Sequence, residues 1–267
     1  MSVTAPVARA IRRTSGARAR EVNEAELRAT LSTYREVSDE HWRRPSPCAG
    51  WTVRDMLAHT VGQYEEVPRP WVASRRIRWA RRTHPALGPL DGHNEIQIED
   101  RQAVPGRELI GALARYAPQA IIAMRRMPEA VRRRIRPSLL YPEAKALPED
   151  SMEYLYRVLM VRDTWMHRMD LGDATGVDPV LGGHDREVMD QVVLDLALMW
   201  TGPAAELDLH GPAGGSHLLG SGVPAAVLRA DAVDLARHLS GRRVRGTLEV
   251  EGDPGARSVL MAARVVF

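Results

Sequence analysis

Up to Gly176 the apolar residues of this chain recur at helical spacing, and after it they fall into short strand-like runs. That switch implies a helical unit followed by a small mixed unit, which is an α+β chain rather than one continuous sheet. The spacing predicts a helix over 22–42, with Ala25, Leu27, Leu31, Tyr34 and Val37 on one face. Two prolines and a glycine break it in 44–50. A second helix starts after Thr52, whose hydroxyl and the Asp55 carboxylate approximate a capping box, and stops near Val67 before Pro68 and Pro70. Further on, 71–82 is helical but very basic, 84–92 reads as a loop, and 95–103 as helical. Residues 107–127 form a helical run that Pro118 should kink or break. The strongest helix is 151–171, with Asp150 and Ser151 suited to its start and Gly172 to its end.

Beyond Gly176 a helix is expected over 185–200, then strands over 206–210, 216–219 and 225–229. Asp231 can cap a helix that Gly241 ends. A strand over 247–250, a turn over 251–254 and a last helix over 254–264 follow. The boundary falls between about Thr175 and Asp185. The organisation expected is a basic disordered arm (1–20), a helical domain (21–178) and a C-terminal domain (184–267).

The 37 Lys and Arg residues barely outnumber 34 Asp and Glu, a formal charge of +3. Lys145 is the sole lysine, an arginine bias expected of a GC-rich genome. Cys48 is the sole cysteine, so no intrachain disulfide is possible. No apolar run reaches the ~20 residues of a membrane span, and no apolar stretch follows the basic start as a secretory signal requires. A cytoplasmic protein is expected. Arg75, Arg76, Arg78, Arg81 and Arg82 with Trp71 and Trp79 make one basic stretch, and Arg132, Arg133, Arg134 and Arg136 another. Such runs can contact nucleic acid, but the near balance of charge favours solvated helix faces or an anionic small substrate.

Asp163 and His167 stand four apart and project from one helix face, so both can reach one cation. His59 lies midway along the second helix and faces the core if the stripe of Val53, Met56, Leu57 and Thr60 does. Two imidazoles and a carboxylate are a known catalytic zinc set that leaves a fourth position for water or substrate, and zinc binds thiolate well. Spacing alone leaves open a surface ion pair for Asp163 and His167, and a hydrogen-bonded core histidine for His59. Cys48 has no evident base beside it and is expected to pack under Trp51. His93, Asn94 and Glu95 sit where they could line the mouth of the bundle, with a loop turn as the default expectation.

Pro45-Ser46-Pro47-Cys48-Ala49-Gly50-Trp51-Thr52-Val53-Arg54-Asp55, followed by His59, resembles the opening motif of the mycothiol-dependent maleylpyruvate isomerase family within the DinB-like superfamily. Arg162-Asp163-Thr164-Trp165-Met166-His167-Arg168-Met169-Asp170-Leu171 resembles its second motif. The C-terminal stretches Leu207-Asp208-Leu209-His210-Gly211, Leu239-Ser240-Gly241-Arg242 and Val250-Glu251-Gly252-Asp253 are similar to the family's small sterol-carrier-like domain. The resemblance implies a DinB-like four-helix bundle with extra helices plus a small C-terminal α/β domain. It implies metal ligands at His59, Asp163 and His167, with Asp163 where the isomerase has glutamate. An arginine of the C-terminal domain assists in that family, and Arg242 and Arg243 are the candidates, Arg242 foremost. The implied cofactors are a divalent metal, zinc or else nickel, and mycothiol. The implied activity is S-transfer to, or isomerisation of, an electrophilic small molecule, with the metal activating the thiol as thiolate. A non-catalytic metal- or ligand-binding protein with a vestigial site is the alternative. Its expected partners are the electrophile and a low-molecular-weight thiol, with neither nucleic acid nor membrane, in a monomer or homodimer.

Overall fold

The computed structural model describes residues 5–267. They form two compact units, one of Asn23–Pro179 and the other of the described residues up to Val22 with Val180–Phe267. No helix among the described residues is long and apolar enough to cross a membrane.

The first unit is helical. Its main helices are α1 (Gly16–Arg35, from Asn23 onward), α2 (Val53–Glu66), α3 (Pro70–Thr83), α4 (Pro89–Glu99) and α5 (Gly106–Ala123). The short α6 (Glu129–Arg132) and α7 (Met152–Tyr154) precede α8 (Met160–Thr175). One apolar cluster joins α1, α2, α5 and α8: Leu27, Leu31 and Tyr34 meet Met56, Leu57 and Val61, with Leu109, Leu113 and Leu171 completing it. α2 is central and is buried along much of its length. Its start is fixed by a true capping box, in which Thr52 Oγ1 accepts from Asp55 N–H and the Asp55 carboxylate accepts from Thr52 N–H. α2 approaches α4 so closely that a Cβ on Gly62 would lie 2.7 Å from Gln97 Cβ.

Three local expectations are corrected. Of the kink or break expected at Pro118, the break does not occur, because α5 runs through it. Pro118 is exposed, so the carbonyl it deprives of a partner can turn to water. The helix expected over 151–171 is interrupted by one π-helical turn, Leu155–Leu159, and α8 then continues past Gly172 to Thr175. Gly176 ends it at φ 78°, the left-handed conformation that glycine adopts without penalty. Residues 93–95 lie on α4 rather than in a loop turn.

The second unit carries α9 (Gly183–Met199), β1 (Ala205–His210), β2 (Gly215–Leu219), β3 (Ala226–Asp231), α10 (Ala232–Leu239), β4 (Glu249–Gly252) and α11 (Pro254–Ala262). The sheet order is β2-β1-β3-β4. β1 pairs antiparallel with β2 and parallel with β3, in a register that sets Leu207 opposite Leu228, and β3 pairs antiparallel with β4. Alternate residues of β1 and β3 are buried, as one-sided burial of a strand requires. Asp231 caps α10 by accepting from Val233 N–H. Observed and expected strands differ by one or two residues at their ends.

The segment expected as a disordered arm is ordered from Ala5. Val7 bridges Leu218, Arg9 Nε donates to the Ala197 carbonyl at 2.9 Å, Arg13 pairs with Asp195, and Arg18 pairs with Glu187. Arg13 and Arg18 find carboxylates on α9, far along the chain, which local composition cannot reveal. The part of that expectation at Met1–Thr4 lies outside the described residues.

Candidate metal centre

α2 and α8 bring His59, Asp163 and His167 together in the first unit. His59 Nε2 is 3.7 Å from Asp163 Oδ2, and His167 Nε2 is 3.5 Å from Asp163 Oδ1. A tetrahedral zinc with bonds of about 2.0–2.1 Å separates its donors by about 3.3–3.4 Å, so these spacings suit one cation. Both imidazoles are buried, at 2% and 5% exposure. Their rings meet edge to face with centroids 5.4 Å apart.

Several contacts hold α2 and α8 in this relation. Tyr64 of α2 and Thr164, next in sequence to Asp163, hydrogen bond at 3.2 Å. On α8, Arg168 makes a fully buried bidentate pair with Glu26 of α1, both bonds 2.8 Å long. A bidentate guanidinium–carboxylate pair fixes orientation as well as distance. The π turn ends just before α8, one turn from Asp163; such turns re-aim the side chains that follow them.

The surroundings of His167 decide which nitrogen faces the cluster. His167 Nδ1 lies 3.3 Å from Asp170 Oδ2 and 3.7 Å from Cys48 Sγ, and Cys48 Sγ lies 3.6 Å from the same carboxylate oxygen. Asp170 thus accepts from Nδ1–H, so Nε2 is the nitrogen directed toward Asp163 and the one a cation would bind in place of a proton. That Nε2 is buried and has no hydrogen-bond partner. An orphaned buried imidazole nitrogen aimed at a carboxylate and a second imidazole is what a divalent cation satisfies, so the residues fit the metal. The expectation that Cys48 merely packs beneath Trp51 is corrected by its contacts with His167 and Asp170.

Burial disfavours charge on both Asp163 and His167, but their mutual attraction outweighs it. His167, with His59 and Gln63 as hydrogen-bonding neighbours, holds the Asp163 carboxyl well below the usual carboxylate range. Asp163, helped by Asp170 and Cys48, raises His167 well above an ordinary histidine.

Three further residues complete the surroundings; Gln63 escaped the sequence reading, whereas Trp51 and Glu95 were named in it without a place at the metal. Gln63 Nε2 is 2.8 Å from His59 Nε2 and 2.9 Å from Asp163 Oδ2. Trp51 stands with its ring centroid 5.0 Å from His59 and 6.1 Å from His167. Its Nε1–H donates to Glu95 Oε1 at 2.7 Å, which fixes the indole. Gln63 follows His59 by four residues, the same helical interval that exposed Asp163 and His167, so a signal for it existed. His93, a neighbour of Glu95 on α4, is instead tied to Glu66 at 3.0 Å and to Tyr141 at 2.7 Å.

Arg242 lies in the second unit, half-buried just after Gly241, with its N–H donating to the Arg237 carbonyl at 2.8 Å. Arg243 beside it is exposed. In the two arginine runs, Arg76 is buried against Glu65, Glu66 and Asp100, and Arg132 is paired with Glu153.

A family model described as the mycothiol maleylpyruvate isomerase N-terminal domain matches residues 23–172, more than half of the chain. The chain belongs to that family. The matched span contains His59, Asp163 and His167 and ends within α8. Two solved structures share the fold. One is a mycothiol-dependent maleylpyruvate isomerase, 16% identical, with a TM-score of 0.57 over 91% of this chain and 96% of that chain. The other is a histidine-to-alanine mutant of such an isomerase, 15% identical, with a TM-score of 0.56 over the same shares. No curated protein matches the sequence.

Proposed function

We propose that this family member is a metal-dependent thiol enzyme that uses mycothiol for S-transfer to, or isomerisation of, an electrophilic small molecule. The observation that carries the reading is the convergence of His59, Asp163 and His167, with His167 Nε2 orphaned, inside the span that matches the family model. A divalent metal, zinc by preference for two imidazoles and one carboxylate, supplies the acidity that makes a thiol a thiolate at neutral pH.

The chain's own residues do the rest. His59 and His167 offer neutral nitrogens, and Asp163 offers the negative charge that offsets part of the cation's. Asp170 holds His167 in the tautomer with Nε2 free. The indole of Trp51, oriented by Glu95, limits water beside the two imidazoles. Held by His59, Asp163 and His167, the metal would supply a thiolate nucleophile, suited to addition to an activated double bond or to displacement of a leaving group from carbon. Addition, rotation about the former double bond and elimination together make an isomerisation. Arg242 is carried over from the resemblance as the residue that would pair with a substrate carboxylate through its planar fork.

Metal analysis of the purified protein, followed by calorimetry with mycothiol, tests the reading. About one metal ion per chain and thiol binding that needs the metal support it. Metal without any thiol binding would move the assignment to a non-catalytic ligand-binding protein.

A further inference from the structure

Gln63 occupies a place that the three-ligand description leaves unexplained. Its Nε2 bridges two prospective ligand atoms, His59 Nε2 at 2.8 Å and Asp163 Oδ2 at 2.9 Å. Its Oε1 is buried with no hydrogen-bond partner. An orphaned buried acceptor costs about 1–3 kcal/mol. A half-turn about the last side-chain bond exchanges the oxygen and nitrogen of an amide and changes nothing else. When a cation takes the lone pairs of His59 Nε2 and Asp163 Oδ2, the amide N–H groups lose both acceptors. The same side chain can then turn its oxygen, a neutral ligand for a divalent cation, to the position its nitrogen held.

Resting on the metal-centre reading above, we propose that Gln63 is a fourth protein donor: its NH2 closes the metal-free site, and its Oε1 joins His59, Asp163 and His167 on the cation. A neutral amide oxygen binds zinc more weakly than a thiolate does. Gln63 is therefore the ligand that an incoming thiol replaces, and it excludes water from that position until the thiol arrives. The position of Gln63 one helical turn after His59 keeps the two donors together on α2.

Cobalt(II) is the probe, since its visible absorption reports the number and type of ligands. Metal-free wild type, Gln63→Ala, Gln63→Glu and His167→Ala are titrated with cobalt(II), after melting curves show that each is folded. Gln63→Ala is expected to bind cobalt about tenfold more weakly and to change the visible band, whereas Gln63→Glu binds at least as tightly as wild type. 2-Mercaptoethanol should then bind cobalt-loaded Gln63→Ala more tightly than cobalt-loaded wild type, because no amide has to leave. Equal cobalt affinity and an unchanged band in Gln63→Ala, while His167→Ala loses cobalt, would overturn this inference and leave the metal centre standing. A wild type that takes up no cobalt, or a His167→Ala variant that binds it normally, would overturn both.

Discussion

His167 Nδ1 stands 3.3 Å from Asp170 Oδ2, three residues further along α8, and this contact turns the opposite imidazole nitrogen toward His59 and Asp163. Asp170 is fully buried and reaches the site through His167. Replacing such a partner behind a metal-binding histidine costs about 10–100-fold in metal affinity. Asp170→Ala should show that loss by competition with a chelating dye, and Asp170→Asn, which keeps an acceptor oxygen, a smaller one. His167→Ala should abolish binding altogether. Unchanged affinity in Asp170→Ala would mean that packing alone orients His167.

Asp163 supplies the carboxylate of the His59–Asp163–His167 group. Asp163→Glu should retain metal, because the donor chemistry is unchanged and glutamate is the residue implied at this position by the family resemblance. Asp163→Ala removes the charge and one ligand and should weaken binding strongly. Equilibrium dialysis followed by elemental analysis separates the outcomes: equal occupancy in wild type and Asp163→Ala would remove the carboxylate from the ligand set.

The trio was singled out through the resemblance, and local rules agree with it. Asp163 and His167 share a helix face by their spacing, and His59 falls on the buried stripe of α2. Its supports were less legible because they join residues distant in sequence. Cys48 reaches Asp170 across 122 residues and Trp51 reaches Glu95 across 44, and no periodicity encodes such pairs. The π turn before α8 leaves no mark in apolar spacing, since it arises from the hydrogen-bond ladder. The α+β pattern and most helix starts followed from caps and prolines. The ordering of residues 5–20 did not, because it depends on carboxylates of α9 that pair with Arg13 and Arg18.

In the second unit, Asp234 binds the loop after α10. Its carboxylate accepts from Arg245 N–H at 3.0 Å, Gly246 N–H at 2.8 Å and Arg237 Nη1 at 3.0 Å. Burial opposes its charge, but these donors outweigh burial and hold its carboxyl below the ordinary value. The folded state therefore resists protonation at Asp234 more than the unfolded chain does. The resulting stability is complete above about pH 4, the ordinary carboxylate pKa, and is lost as pH falls through the lower folded value. Asp234→Ala should destabilise this unit by about 1–3 kcal/mol at pH 7. The gap between wild-type and variant melting temperatures should narrow below pH 4. A gap that stays constant down to pH 3 would assign the loss to packing rather than to the carboxylate.

The thiol prediction tests the chemistry rather than the ligands. A thiol that enters the metal position as thiolate must release its proton, because metal ligands bind deprotonated. Mycothiol should therefore bind metal-loaded protein more tightly as pH rises from about 6 to 8, at pH values below the ordinary thiol pKa of about 8.5. Calorimetry in buffers of different ionisation enthalpy should report about one proton released per thiol bound. The His59→Ala variant, short of one imidazole, should bind neither metal nor thiol well. Equally tight thiol binding without metal would leave the family membership untouched and remove the proposed activation. Thiol binding that needs the metal but releases no proton would mean that the thiol enters intact, and the nucleophile would then have to be generated by a base on the protein.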